Sequence, residues 1–151
     1  MGIVYMMSLG IFALLNQSAV SVLFFVTVAS LLAFIKFNWY PAKILPGDSL
    51  TYLLGALLAA GVILGNMEKI GIVLIIPFFV ELFLKLRSKF QASSLGRLRT
   101  DGTIESFYGK KIYSLTHAVM NLGRFTEKKI ALIFIGIELV FALIVFAVYV
   151  F

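Results

Sequence analysis

The sequence predicts an all-α protein: a multi-pass transmembrane helix bundle of about five membrane segments, the first truncated, with a small cytoplasmic loop or hairpin. Three observations predict it. Of the 151 residues, 62% are apolar and only 13% charged, whereas soluble domains run near about 25% charged and below about 50% apolar. The mean hydropathy is +1.06. The apolar residues also gather into runs of the length needed to cross a hydrocarbon core, about 20 helical residues for about 30 Å.

Taken in order, Gly2 to Ile35 holds no charged side chain. This run is too long for one upright helix, and Asn16-Gln17-Ser18 is its most polar break. The piece before the break, Gly2–Leu15, would reach only about 21 Å at a rise of about 1.5 Å per residue, so it reads as an incomplete helix. The piece after it, roughly Ala19–Ile35, is a full span. Nothing basic precedes the first apolar run, which argues against a signal peptide, and Met6 stands where a myristoylation signal needs Ser or Thr. Ser49–Gly65 is charge-free, with Gly61 and Gly65 in the small-xxx-small spacing that lets helices pack closely. Ile70–Leu86 carries Pro77, Glu81 and Lys85, with Pro77 expected to kink it, and Ile130–Phe151 is interrupted only by Glu138. The chain reads as a single membrane domain over residues 1–151, with residues 87–129 forming a cytoplasmic loop within it.

Alternation of these segments puts all but Lys69 of the thirteen Lys and Arg on one side. Basic residues favour the cytoplasmic side, so the two larger loops are expected there. The net charge of +6 is then either this topological bias or an electropositive site for a phosphorylated substrate. The absence of cysteine excludes disulfides, thiolate metal sites and thiol catalysis. A single histidine excludes His-rich metal sites. The basic residues sit at membrane ends and no RNP-type or zinc-knuckle spacing occurs, so no nucleic acid is expected as a partner.

Six residues could carry chemistry. Asp48 follows a loop broken by Pro41 and Pro46 and stands at the expected N-cap of the next span. It is read either as a cap or as a magnesium ligand, since hard oxygen donors together with substrate phosphates suit that ion. Arg97 and Arg99 lie in Arg97–Glu105, a short hairpin turning at Asp101-Gly102. They would project from one face of a strand, where two guanidinium groups can grip a diphosphate; a solvated basic loop is the other reading. Glu81 precedes Lys85 by one helical turn, in the order that favours pairing, and reads as partly structural and partly site-lining. His117, in a polar loop, is either a surface residue or part of a site. Glu138, near the middle of a span, is expected to be a neutral, hydrogen-bonded acid.

Asn38-Trp39-Tyr40-Pro41, then Gly47-Asp48, then the Gly55-containing span resemble the polyprenyl-phosphate N-acetylhexosamine-1-phosphate transferases, glycosyltransferase family 4. The branch most resembled is the UDP-GlcNAc:dolichyl-phosphate GlcNAc-1-phosphate transferase. The resemblance runs along nearly the whole chain and corresponds to the C-terminal half of such enzymes. It implies that a dolichyl or other polyprenyl phosphate attacks the β-phosphorus of UDP-GlcNAc and UMP leaves, the first step of lipid-linked oligosaccharide synthesis for N-glycosylation. It also implies Mg2+ as cofactor, with Asp48 at the metal-binding aspartate and Arg97 and Arg99 in the loop that contacts the nucleotide diphosphate. Glu81 resembles an acid of the bacterial relatives. The location implied is an archaeal plasma membrane or the endoplasmic reticulum, with the site facing the cytoplasm.

The sequence also departs from the family. No two acidic residues are adjacent anywhere, so the family's acidic cluster is absent, and His117 alone does not replace the bacterial histidine cluster. The expectation is a chain inactive by itself that needs a missing N-terminal half as partner. Two other readings stay open: a non-catalytic membrane accessory subunit, and a small proton-coupled transporter using Glu81 and Glu138.

Overall fold

The computed structural model describes residues 1–149; the end of the expected last span, Val150 and Phe151, lies outside the described residues. Six helices and one hairpin follow in order: α1 Gly2–Leu15, α2 Ser21–Asn38, α3 Asp48–Leu64, α4 Glu68–Arg87, β1 Gly96–Leu98, β2 Ile104–Ser106, α5 Leu115–Leu122 and α6 Glu127–Tyr149. The apolar runs thus fold as the helices expected of them. The six-residue strand content is confined to the hairpin, and α5 is a helix the sequence reading did not include.

Three helices, α1, α3 and α4, end by one shared device. Gln17, Asn66, Lys89 and Phe90 adopt left-handed backbone conformations. At each stop an amide then reaches back five residues: Ser18 to the Ala13 carbonyl, Met67 to Val62 and Phe90 to Lys85, all between 2.9 and 3.0 Å. These bonds satisfy carbonyls that the ended helix would leave free. α4 runs through Pro77 as one helix.

Two helices, α2 and α6, are long and apolar enough to cross a membrane; α1 and α3 are apolar but shorter. Large apolar side chains such as Val26, Leu53, Ile63, Phe83 and Leu143 face outward. An outer surface of this kind suits lipid better than water.

The chain divides into two compact units, Met1–Leu74 with Glu138–Phe151, and Ile75–Ile137. In the first, α1 packs chiefly on α2, and α3 touches both. Tyr5, Leu9, Phe24 and Val62 are buried here. A Cβ on Gly61 would stand 2.5 Å from Cζ of Phe24, so this glycine lets α3 approach α2. Gly55, in contrast, faces open space. The hydroxyls of Ser8 and Thr27 donate to carbonyls one turn back, both at 2.8 Å, which settles them inside apolar helices. Glu138 is fully buried, and neither carboxylate oxygen has a hydrogen-bond partner among the described residues. The burial expected of it is present; the hydrogen bond is not.

In the second unit, β1 and β2 pair antiparallel with Arg97 opposite Glu105, and α5 lies against β2. Gly96 permits that packing: a Cβ there would collide with the Ile104 side chain and lie 2.8 Å from the Met120 methyl and the Glu105 carbonyl.

Candidate functional site

The hairpin is set by its turn. Gly102 takes φ +77°, and its amide donates to the Arg99 carbonyl at 3.1 Å while the Arg99 amide donates to Thr103 at 2.8 Å. A glycine in the left-handed region is what such a three-residue connection needs. Asp101 Oδ1 accepts from the amide and the hydroxyl of Thr103, at 2.9 and 2.6 Å. Those bonds, and more weakly the charges of Arg124 and Arg99, hold the Asp101 carboxyl below its usual range.

Arg99 is already engaged. Its Nε and Nη2 donate to the two oxygens of Glu105 at 2.9 and 2.6 Å, a fork-to-fork pair. The pair raises the arginine's affinity for its proton and lowers that of the glutamate. The expected grip by two free guanidinium groups is therefore modified, because one of them is held by a carboxylate. Arg97 and Arg99 do line one concavity of about 450 Å³ together with Arg124. Arg124 was not singled out in the sequence. It lies beside Phe125, whose carbonyl accepts from the Ile104 amide at 2.9 Å, so a backbone bridge brings it to the hairpin. No sequence pattern signals that bridge.

Glu81 and Lys85 do not pair with each other. Glu81 Oε2 accepts from the Leu115 amide at 2.7 Å, at the start of α5, where a carboxylate opposes the helix dipole. Lys85 Nζ donates to the Ala92 carbonyl at 2.9 Å. Both side chains moor the loop to α4. Ser114 caps α5, its Oγ accepting from the His117 amide at 3.3 Å.

His117 is wholly buried, not at the surface. Its ring stands edge-on to Tyr108 with centroids 5.3 Å apart. Neither ring nitrogen makes a hydrogen bond of ordinary geometry. Burial first, then the charge of Lys85, pushes the imidazole below its ordinary value, while Glu81 and the backbone at Ser93 and Leu95 pull the other way.

Asp48 belongs to the first unit. Gly47, not Asp48, occupies the N-cap, and no side chain caps α3. Asp48 sits in the first turn with its carboxylate exposed and without a hydrogen bond, and Thr51 Oγ1 donates to its carbonyl at 2.9 Å. The preceding loop is tied locally. Asn38 Nδ2 donates to the Ile44 carbonyl at 2.9 Å, and the Lys43 amide donates to Phe37 at 2.8 Å. Asn38 thus has a loop-closing role that the motif alone did not disclose.

Among the described residues, no group of three or more His, Asp or Glu side chains could hold a metal by itself. Magnesium commonly takes only one or two carboxylates, completing its shell with substrate phosphates and water. The open carboxylate of Asp48 fits such a partial role.

Residues 1–66 match the family described as glycosyl transferase family 4. The chain is 44% identical over 117 residues to a protein of Saccharolobus solfataricus that carries the provisional name UDP-N-acetylglucosamine–dolichyl-phosphate N-acetylglucosaminephosphotransferase; the match covers 78% of this chain and 36% of that one. A protein of Sulfolobus acidocaldarius with the same provisional name is 38% identical over 114 residues, covering 76% and 34%. A phospho-N-acetylmuramoyl-pentapeptide-transferase of Listeria monocytogenes is 32% identical over 138 residues, covering 90% and 39%. The chain thus spans little more than a third of the length of these curated relatives.

Proposed function

Because this chain belongs to glycosyl transferase family 4, we propose that it is part of a magnesium-dependent transferase that moves GlcNAc-1-phosphate from UDP-GlcNAc to dolichyl or another polyprenyl phosphate. In that reaction a lipid phosphate oxygen forms a bond to the β-phosphorus of the nucleotide sugar, the bond to the α-phosphate bridge breaks, and UMP leaves. The membrane arrangement proposed with it has five crossings, and the loops around Asp48 and the hairpin face the cytoplasm, as their basic residues favour.

The single observation carrying the assignment of roles is the state of Asp48. It is exposed and lacks a hydrogen-bond partner, standing one position past the N-cap with its carboxylate open. Asp48 would hold the magnesium ion, which when bound would neutralise charge at the transferring phosphoryl group. Arg97 and Arg99 bind and orient the anionic substrate, and Glu105 holds Arg99 in its forked geometry. Glu81 and Lys85 position the loop through the backbone contacts they make. His117, buried in the loop, supports its packing and does not touch substrate. The sequence contains no adjacent acidic pair, so the chain alone is expected to bind substrate without turning it over.

The experiment is calorimetric titration of the purified chain with UDP-GlcNAc, with magnesium and with chelator. Native chain is expected to bind in a magnesium-dependent way, and Asp48→Ala to lose affinity by about tenfold or more, the worth of one charged ligand contact. Equal binding by both would remove Asp48 from the metal site. A parallel assay with dolichyl phosphate that released UMP at a steady rate would remove the expectation of inactivity.

A further inference from the structure

We propose that Arg124 is a third ligand-contacting arginine, which joins Arg97 and Arg99 in one concavity built to take a pyrophosphate-type anion. The proposal rests on the transferase reading only for what carries the anion. The cleft itself stands on geometry within one compact unit.

Charge counting gives the first reason. Three guanidinium groups share the concavity with two carboxylates, Asp101 and Glu105. Glu105 is committed to Arg99 through two short bonds. Asp101 is committed to Thr103 within the turn. The side chains of Arg97 and Arg124 have no hydrogen bond or ion pair among the described residues. Asp101 keeps its charge, and Arg124 acts on it across the concavity, so three cations against two carboxylates leave one net positive charge there; the guanidinium groups of Arg97 and Arg124 still have their donors open to an anion. A pyrophosphate group brings enough oxygens for forked bonds to more than one arginine.

The second reason is how the arginines are held. Arg97 is fixed on β1 by its register opposite Glu105. Arg124 is fixed from the other side of β2, because the neighbouring Phe125 is bridged to Ile104. β2 is therefore the common rail, with one arginine delivered from each edge. Glu105, on β2, is a positioning residue for Arg99. The backbone positions of the arginines are fixed in this way, and only their side-chain rotamers remain to be ordered on binding.

The test uses the full chain in phosphatidylcholine nanodiscs, titrated with inorganic pyrophosphate and with UDP. Arg124→Gln and Arg97→Gln are each expected to weaken pyrophosphate binding by about tenfold, one charge-assisted contact. Lys128→Gln removes an exposed cation on α6 outside the concavity and is expected to change it by less than about twofold. UDP binding with the same dependence on Arg124 assigns the anion to the nucleotide. Competition from a polyprenyl diphosphate in the disc, without UDP binding, assigns it to the lipid: the cleft then stands while the nucleotide reading falls. Arg124→Gln behaving like Lys128→Gln while Arg97→Gln loses binding overturns the proposal and leaves the transferase reading intact. Failure of the native chain to bind pyrophosphate overturns it outright.

Discussion

His117 illustrates how far a residue's surroundings in sequence can differ from its surroundings in space. It falls in a long loop that reads as polar, which suggested a surface position, yet it is buried against Tyr108 with Lys85 and Glu81 acting on it electrostatically. Tyr108 comes from the turn just after β2 and the charges from α4, so the burial was not legible locally. The imidazole is held below its ordinary value, and the sign of the pH effect follows. The folded loop keeps the ring neutral, while the unfolded loop takes up a proton once the pH drops under about 6.5. Stability is full above that pH and falls as the pH descends to the lowered folded value, by up to about 1.4 kcal/mol per pH unit for one proton. Hydrogen-exchange protection factors of α5, measured from pH 7.5 to 5, should decline in the native chain. They should stay level in His117→Phe, and the same decline in both would place the titrating group elsewhere. Asp48 and Arg97 were legible as residue types in a setting. What the sequence did not reveal was that Glu105 holds Arg99, since that needs the strand register.

At the level of elements, the helices were legible because charge-free runs and polar breakers are properties of the sequence itself. Asn16-Gln17-Ser18 is the break expected, and the left-handed Gln17 is its physical form. α5 was missed although local signals were present: Ser114 at its N-cap, Leu115, Ala118, Val119 and Leu122 at helical spacing, and Gly123 at its end; what the sequence did not disclose is that this helix packs on β2. The glycine spacing on α3 was read as a packing face, and the structure divides that face. Gly61 lies against Phe24, so Gly61→Val should overpack the contact and cost about 1–3 kcal/mol. Gly55 looks into open space, so Gly55→Ala should be neutral or slightly stabilising through helix propensity. Thermal unfolding of both variants in the same detergent checks the contrast; equal destabilisation would mean that α3 uses its whole small-residue face.

For the whole molecule, the expected arrangement in the bilayer can be mapped directly, because the chain contains no cysteine and any introduced thiol reports alone. Leu45→Cys and Thr100→Cys, in the two larger loops, should be modified by a membrane-impermeant maleimide from the cytoplasmic side. Asn66→Cys, beside the lone opposite cation Lys69, should be modified only from the other side. Labelling of Asn66→Cys and Thr100→Cys from one side would disprove the alternation. Charge asymmetry is what leads the sequence to predict this arrangement; the docking of the loop was not predicted, since Glu81 and Lys85 looked like partners of each other. Each instead grips loop backbone, at Leu115 and Ala92. The loop that carries the basic cleft is consequently anchored at two points: to move, it must break both attachments or take α4 with it. An anion can then be taken up by rotation of the Arg97 and Arg124 side chains alone, with Glu105 staying on Arg99 and the backbone where it is.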